Sequence, residues 1–124
     1  MTERLSNSQS ANAEERDGLK YLPDNHSIWD HAANALANLC VTLTLVTSVE
    51  KIVLGGGVMN RTILFEKIRS KYTEHLNGYL DLKQISSKEG MEKYIAPSIW
   101  AESDGGVGPG LVGALALAKS AYCE

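Results

Sequence analysis

The sequence predicts an α/β fold, and four successive segments carry that prediction. Residues 28–48 are apolar at helical spacing over most of their surface, as in a long buried helix. Ile52, Val53 and Leu54 form a short continuous apolar run, which is typical of an interior parallel strand. Three glycines follow, and residues 60–75 then place apolar side chains on one helical face. Helix, buried strand, glycine turn and helix in this order indicate an α/β layout.

The composition fits one globular domain, because the 124 residues are 44% hydrophobic and 22% charged. A net charge of −3 without a basic stripe argues against a nucleic-acid partner. The two cysteines and the polar start of the chain favour a reducing, cytoplasmic setting over a secreted one. We expect residues 1–18 to form a polar, flexible lead-in and residues 19–124 to form a single α/β domain.

The first predicted helix, residues 28–48, is expected to be buried on more than one side. Ser27 is its predicted N-cap, with Asp30 at the position of a capping-box acid. His31 and Asn34 interrupt the apolar run early, and no charged flanks anchor it, so we predict no membrane span.

The second half of the chain predicts further elements. Residues 94–99 form a second apolar run, residues 101–110 a glycine-dense loop, and residues 111–124 a small-residue helix suited to close packing. Asn60 is the predicted N-cap of the helix expected at residues 60–75. The buried face of that helix is predicted to consist of Leu64, Ile68, Tyr72 and Leu76.

The glycine-rich segments can be compared with three phosphate-binding patterns. Neither is followed by the Lys-Ser/Thr pair of a Walker A loop, which excludes a P-loop. Residues 108–113 match the Rossmann glycine pattern, but they lack a following strand and ribose-binding acid, so we interpret the match as coincidental. Two glycine turns before helices also suit the actin-like ATPase arrangement, in which bare backbone approaches a nucleotide closely. Spacing alone favours ordinary packing turns over this third pattern.

Several longer motifs add to the glycine turns. Residues 23–30 read Pro-Asp-x-His-x-x-Trp-Asp, residues 54–59 read Leu-Gly-Gly-Gly-Val-Met, and residues 76–79 read Leu-Asn-Gly-Tyr. The segments YIAPSIW and GLVGALALA follow towards the end of the chain. In combination, these motifs resemble the C-terminal part of bacterial-type ROK-family fructokinases, with coverage from about residue 19 to residue 122.

The resemblance implies part of the C-terminal lobe of an actin-like ATPase (ribonuclease-H-like) fold, with long helices packed on a small sheet. It implies ATP with Mg²⁺ as the ligand, and a hexose such as fructose as substrate only if a first lobe is supplied. The nucleotide-binding residues that it implies are Gly55, Gly56 and Gly57 beside the ribose and phosphates, and Val58 and Met59 near the adenine.

Other motifs of the resembled kinases do not occur in the 124 residues. These are the Asp-x-Gly-Gly-Thr phosphate loop with the catalytic aspartate, and a zinc segment of His plus Cys-x-Cys. We therefore expect no catalytic residue, no metal ligand and no sugar phosphorylation by this chain alone, as in a truncated kinase. A homo-oligomer or a complementary chain is the expected partner. A non-catalytic binding or oligomerisation module derived from the same lobe remains the alternative.

Several single residues receive a structural interpretation. Asp24 and Asp30 are interpreted as solvated loop acids, and His26 and His31 as capping or packing residues in preference to a metal pair. Cys40 is interpreted as a small core residue. The loop at residues 101–110 is longer than in the resembled family, so its shape and any role of Asp104 stay open.

Overall fold

The computed structural model describes residues 21–102 and 105–123. The predicted lead-in, residues 1–18, and Asp104 lie outside the described residues. The helical and extended elements agree with the predicted α/β class. They are α1 (Ser27–Thr47), β1 (Ile52–Leu54), a 3-10 helix (Gly57–Asn60), α2 (Ile63–Leu76), α3 (Lys83–Ser86), α4 (Lys88–Tyr94), β2 (Ile95–Pro97) and α5 (Pro109–Tyr122).

The two strands form a small parallel sheet. β1 pairs with β2 in a register that places Ile52 opposite Ile95 and Leu54 opposite Pro97. A parallel pair needs a crossover connection, and the segment from α2 to α4 supplies it. Both strands therefore run in the same direction, and the turns that follow them leave from the same edge of the sheet.

Helix α1 packs against α2 and buries only one of its faces. This corrects the prediction that α1 is buried on more than one side, because Leu39, Leu45 and Val46 are exposed. Within the described ranges, no helix combines the length and the apolar character that crossing a lipid bilayer requires. The buried side chains of α1 are Trp29, Ala33, Ala37, Cys40 and Thr44.

Helix α2 buries the face that its periodicity predicts. Leu64, Ile68, Tyr72 and Leu76 are all buried, together with Phe65. The opposite side carries the charged residues of the helix, so the helix separates the core from solvent in the usual amphipathic manner.

Arg69 on α2 ties this helix to the second strand. Its guanidinium group donates to the carbonyl oxygen of Ile95 from Nε at 2.9 Å and from Nη2 at 2.7 Å. Nη2 also lies 3.3 Å from the carbonyl oxygen of Glu92. Charge-assisted bonds of this kind are stronger than neutral ones, so Arg69 fixes the position where α4 passes into β2.

Two predicted N-caps are wrong. The N-cap of α1 is His26, whose Nδ1 accepts from the backbone N–H of Ile28 at 3.2 Å, and Ser27 is already the first helical residue. Asn60 lies within the 3-10 helix, and α2 begins only after Thr62. The chain therefore makes a 3-10 turn at Gly57–Asn60 before the α-helix starts.

The final helix, α5, buries none of its residues among the described part of the chain. The close packing predicted for its small residues is not found there, and a Cβ added at Gly113 would meet no heavy atom within 4 Å. Leu115 and Leu117 are 61% and 74% exposed, so an apolar helix faces solvent.

Three hydroxyl groups form a buried polar cluster in the core. Thr44 Oγ1 donates to the carbonyl oxygen of Cys40 at 2.9 Å, and Tyr94 Oη donates to that of Val49 at 2.9 Å. The hydroxyl oxygens of Tyr72 and Tyr94 lie 3.0 and 3.1 Å from Thr44 Oγ1. Burial raises the pKa of Tyr72 above its ordinary value, so its hydroxyl stays protonated. The cluster joins α1, α2 and α4 at a single point.

Replacing Thr44 by alanine should lower the free energy of unfolding by about 1–3 kcal/mol, because the Tyr72 and Tyr94 hydroxyls would both lose a buried hydrogen-bond partner. The control is Thr42→Ala, since Thr42 makes the same bond to the carbonyl oxygen of Asn38 at 2.9 Å but is exposed. That variant should change stability by less than about 0.5 kcal/mol. Urea unfolding measures both, and equal losses in the two variants would contradict a stabilising cluster.

Candidate functional site

A cavity of about 270 Å³ opens at the edge of the sheet where β1 and β2 both end. Two chain segments form its walls, namely the glycine turn after β1 and the loop between β2 and α5. Its lining is mostly apolar or glycine. The lining residues are Leu54, Gly55, Gly56, Gly57, Met59, Asn60, Phe65, Pro97, Ala101, Glu102, Val107, Gly108, Pro109, Gly110 and Leu111.

The three consecutive glycines differ in backbone conformation and in the space around them. A Cβ at Gly55 would lie 3.0 Å from Cγ of Pro109, so this glycine allows the first turn to approach the start of α5. Gly56 has φ +106°, a backbone conformation that residues with a side chain rarely adopt. A Cβ at Gly56 or Gly57 would meet no heavy atom within 4 Å. Open space therefore remains beside two of the three positions.

The two residues after the glycines differ in burial. Met59 is buried and lines the cavity. Val58 is 58% exposed and is absent from the cavity lining. Of the five residues that the resemblance implied as nucleotide-binding, the structure brings four to one cavity, and Val58 lies beside it.

The sequence motifs assigned neither polar side chain of the cavity a role in binding, because Asn60 was predicted only as an N-cap and Glu102 was not singled out. Asn60 Nδ2 donates to Glu102 Oε2 at 3.0 Å, which joins the 3-10 helix to the second loop. Glu102 Oε1 lies 3.0 Å from the position that a Cβ on Gly108 would occupy. Asn60 and Glu102 are separated by 42 positions in the chain, so only the fold reveals their pairing. Glu102 is the single charged residue among the described lining residues.

Backbone hydrogen bonds join the two ends of the second loop. The N–H of Gly108 donates to the carbonyl oxygen of Trp100 at 2.9 Å, and that of Gly106 donates to Ala101 at 3.0 Å. A Cβ at Gly106 would lie 2.5 Å from the Trp100 carbonyl oxygen, so only glycine fits there. Gly108, with φ +88°, is the N-cap of α5. The two described ends of this loop are therefore held together.

The turn at residues 23–30 contacts the chain just after the first glycine turn. Arg61 follows the 3-10 helix directly and forms an ion pair with Asp24. Its guanidinium carbon lies 4.2 Å from the ring centroid of Trp29, at cation–π distance. Trp29 Nε1 in turn donates to the carbonyl oxygen of Pro23 at 3.0 Å. The motif thus acts as an anchor for the glycine turn.

A second ion pair lies six residues further along the chain on both sides. Lys67 Nζ donates to Asp30 Oδ1 at 2.6 Å and lowers the pKa of that carboxyl group below its ordinary value. Asp24 and Asp30 were both expected to be solvated loop acids. Both are exposed to solvent as expected, and each also pairs with a cation on or next to α2. Asp30 differs from the expectation in one respect, because it lies in the first turn of α1 and not in a loop.

The remaining candidate residues have structural surroundings. His26 caps α1, as the capping interpretation predicted. Cys40 is buried as predicted, and burial raises the pKa of its thiol, which keeps it protonated and unreactive. Within residues 21–102 and 105–123, no three side chains of His, Cys, Asp or Glu come together as a metal site would require.

A larger depression of about 450 Å³ lies between α2 and the α3–α4 segment. Its lining is mostly polar, with Ile85 and the buried Met91 as apolar members, and it contains no glycine turn. Arg69, which lines it, uses its guanidinium group on the carbonyl oxygens at the start of β2. The depression therefore offers less to a ligand than the cavity between the glycine turns.

Comparison with known proteins decides the family. The model of the ROK family matches residues 9–121 of the sequence. The chain belongs to the ROK family. A fructokinase from Pediococcus pentosaceus is 34% identical over 102 residues, which are 82% of this chain and 32% of the relative. A fructokinase from Streptococcus mutans serotype c is 32% identical over 108 residues, 86% of this chain and 33% of the relative.

These matches confirm the resemblance to ROK-family fructokinases. ROK membership implies the actin-like ATPase fold, in agreement with the helix-rich structure and its small parallel sheet. This ROK chain spans about a third of the length of these curated relatives.

Replacing Arg61 by alanine should uncover the Trp29 ring and lower the free energy of unfolding by about 1 kcal/mol. Acrylamide quenching of tryptophan fluorescence should increase, because Trp29 is 7% exposed in the intact chain. The matched control is Lys67→Ala, which removes the neighbouring ion pair and leaves the indole covered. Equal quenching in both variants would contradict the role of Arg61 as a cover for Trp29.

Proposed function

We propose that this chain is the nucleotide-side part of an ROK-type hexose kinase, in the C-terminal lobe, and that its cavity binds the nucleoside end of ATP. The observation that carries the proposal is the open space at Gly56 and Gly57, at the edge where both strands end. Ligands of open α/β sheets bind outside the carboxyl ends of the strands. Family membership and the two fructokinase relatives support ATP as the ligand class.

The size and lining of the cavity suit part of a nucleotide. Small-molecule sites usually measure about 300–1,000 Å³ and are mostly apolar with a few polar groups. This cavity is close to the lower end, at about 270 Å³, with Met59 and Phe65 as apolar walls. A purine nucleoside has the same character, because it combines a flat apolar ring system with a small set of hydroxyl groups.

We infer from charge that the phosphates lie outside this cavity, whereas the resemblance alone implied that Gly55, Gly56 and Gly57 border both the ribose and the phosphates. Among the described lining residues there is a carboxylate and no cation, so the site repels a triphosphate and tolerates a nucleoside. Phosphoryl transfer requires cations at the phosphates and a base at the sugar hydroxyl. One carboxylate and one amide do not make a complete Mg²⁺ site, so we infer that Mg²⁺ arrives with the phosphates.

Because only the nucleoside end of ATP is bound by this cavity, and the groups that act on the phosphates and the sugar lie elsewhere, the isolated chain is inactive as a kinase. A first lobe, as a complementary chain or as the remainder of a longer protein, would supply the phosphate loop, the base and the hexose site. Fructose is the nearest substrate class, by analogy with the two relatives. Fructose phosphorylation that appears only on mixing with a first-lobe fragment is the expected result, and phosphorylation by the chain alone would contradict this division.

The helix α5 favours a second candidate function. Because none of its residues is buried in the described structure, it can serve as the contact surface of a non-catalytic module that pairs with a second copy. Sizing chromatography combined with an ATP titration distinguishes the two candidates. A stable oligomer that does not bind ATP supports the module, and a chain that binds ATP supports the kinase part.

Replacing Gly57 by leucine should weaken ATP binding at least tenfold, because the side chain would occupy the cavity. Gly57 lies outside the left-handed backbone region, and its Cβ position is free, so the turn itself should persist. The matched control is Gly113→Leu on exposed α5, which should leave binding unchanged. Titration followed by tryptophan fluorescence measures the affinity, with thermal unfolding as a check of the fold. Unchanged binding by a folded Gly57→Leu chain would contradict the proposed site.

A further inference from the structure

We infer that Glu102 is a specificity-determining residue of this cavity, and that its carboxylate accepts hydrogen bonds from the ribose hydroxyls of the nucleotide. The inference rests on the proposed function, because it concerns the same cavity. It adds a role for a residue in the long loop between β2 and α5, which the sequence motifs left without an assignment.

The position of the Glu102 carboxylate is set from two sides. Oε2 accepts from Asn60 Nδ2 at 3.0 Å, and Asn60 itself is held within the 3-10 helix. Oε1 lies against the backbone of Gly108, where a Cβ would come within 3.0 Å of it. A bare backbone at Gly108 therefore makes room for this carboxylate. The contact with Asn60 also links the two glycine-containing segments that form the cavity.

The carboxylate retains acceptor capacity after it binds Asn60. An ionised carboxylate offers about four lone-pair sites, and the amide of Asn60 uses one of them. Two neighbouring hydroxyl groups on one ring are a matching donor pair, and they can bond to the two oxygens together. Acidic residues recognise the hydroxyls of a ribose in this way in other nucleotide-binding folds.

Other ligands of a carboxylate fit the cavity less well. A phosphate group would be repelled, because no cation stands among the described lining residues to offset the charge of Glu102. A metal ion would lack further ligands, because Glu102 and Asn60 are the only polar side chains of that lining. The ribose hydroxyls are neutral donors, so they satisfy the carboxylate without either requirement.

The experiment compares ATP with 2′,3′-dideoxy-ATP on the full chain and on the variant Glu102→Gln. The intact chain should bind ATP about tenfold more tightly than the dideoxy analogue, since hydrogen bonds to a charged group are stronger than neutral ones. Glu102→Gln should bind ATP about tenfold more weakly, and its affinity for the analogue should change less than twofold. Gln can still accept the bond from Asn60, so the loop should keep its shape.

The outcomes separate this inference from the proposed function. If the intact chain binds neither nucleotide at millimolar concentration, the proposed function fails and the role of Glu102 fails with it. If it binds both equally, or if Glu102→Gln weakens both by the same factor, the cavity is a nucleotide site and only the ribose contact is overturned.

Discussion

Leu54 and Pro97 end side by side because β1 and β2 pair in parallel, and the arrangement of the cavity depends on this register. An antiparallel pair would send the two following turns to opposite edges of the sheet. The parallel pair sends the glycine turn and the second loop to the same edge, where Asn60 and Glu102 meet across the space between them. Bare backbone on one side and a carboxylate on the other then define what the cavity can accept.

The rest of the described structure holds that edge in place. Arg69 fixes the start of β2 from α2, and the hydroxyl cluster around Thr44 joins α1, α2 and α4. Arg61 lies over Trp29 and anchors the end of the 3-10 helix to the turn before α1. Charged and polar contacts thus connect the glycine turn to helices that pack together through apolar side chains. Helix α5 and the outer face of α1 remain exposed to solvent.

Periodicity predicted the elements well, because the apolar stripe of α2 and the two apolar strand runs are local patterns. Local patterns also misplaced Asn60, since the chain after Gly57 makes a 3-10 turn before the α-helix begins. The one-sided burial of α1 depends on which partners are present, and a hydrophobic stripe does not carry that information. The contact between Asn60 and Glu102 spans 42 positions and involves a loop whose length matched no pattern, so the sequence offered no signal for it.

An ATP titration of the labelled chain, followed amide by amide in two-dimensional NMR spectra, tests the central claim most directly. If the parallel register creates the site, amides in both chain segments must respond to the same ATP-binding event. We expect shift changes at residues 55–60 and at residues 105–111 with one common dissociation constant. Changes confined to the depression between α2 and α4, or to only one of the two segments, would contradict a nucleotide site formed by both.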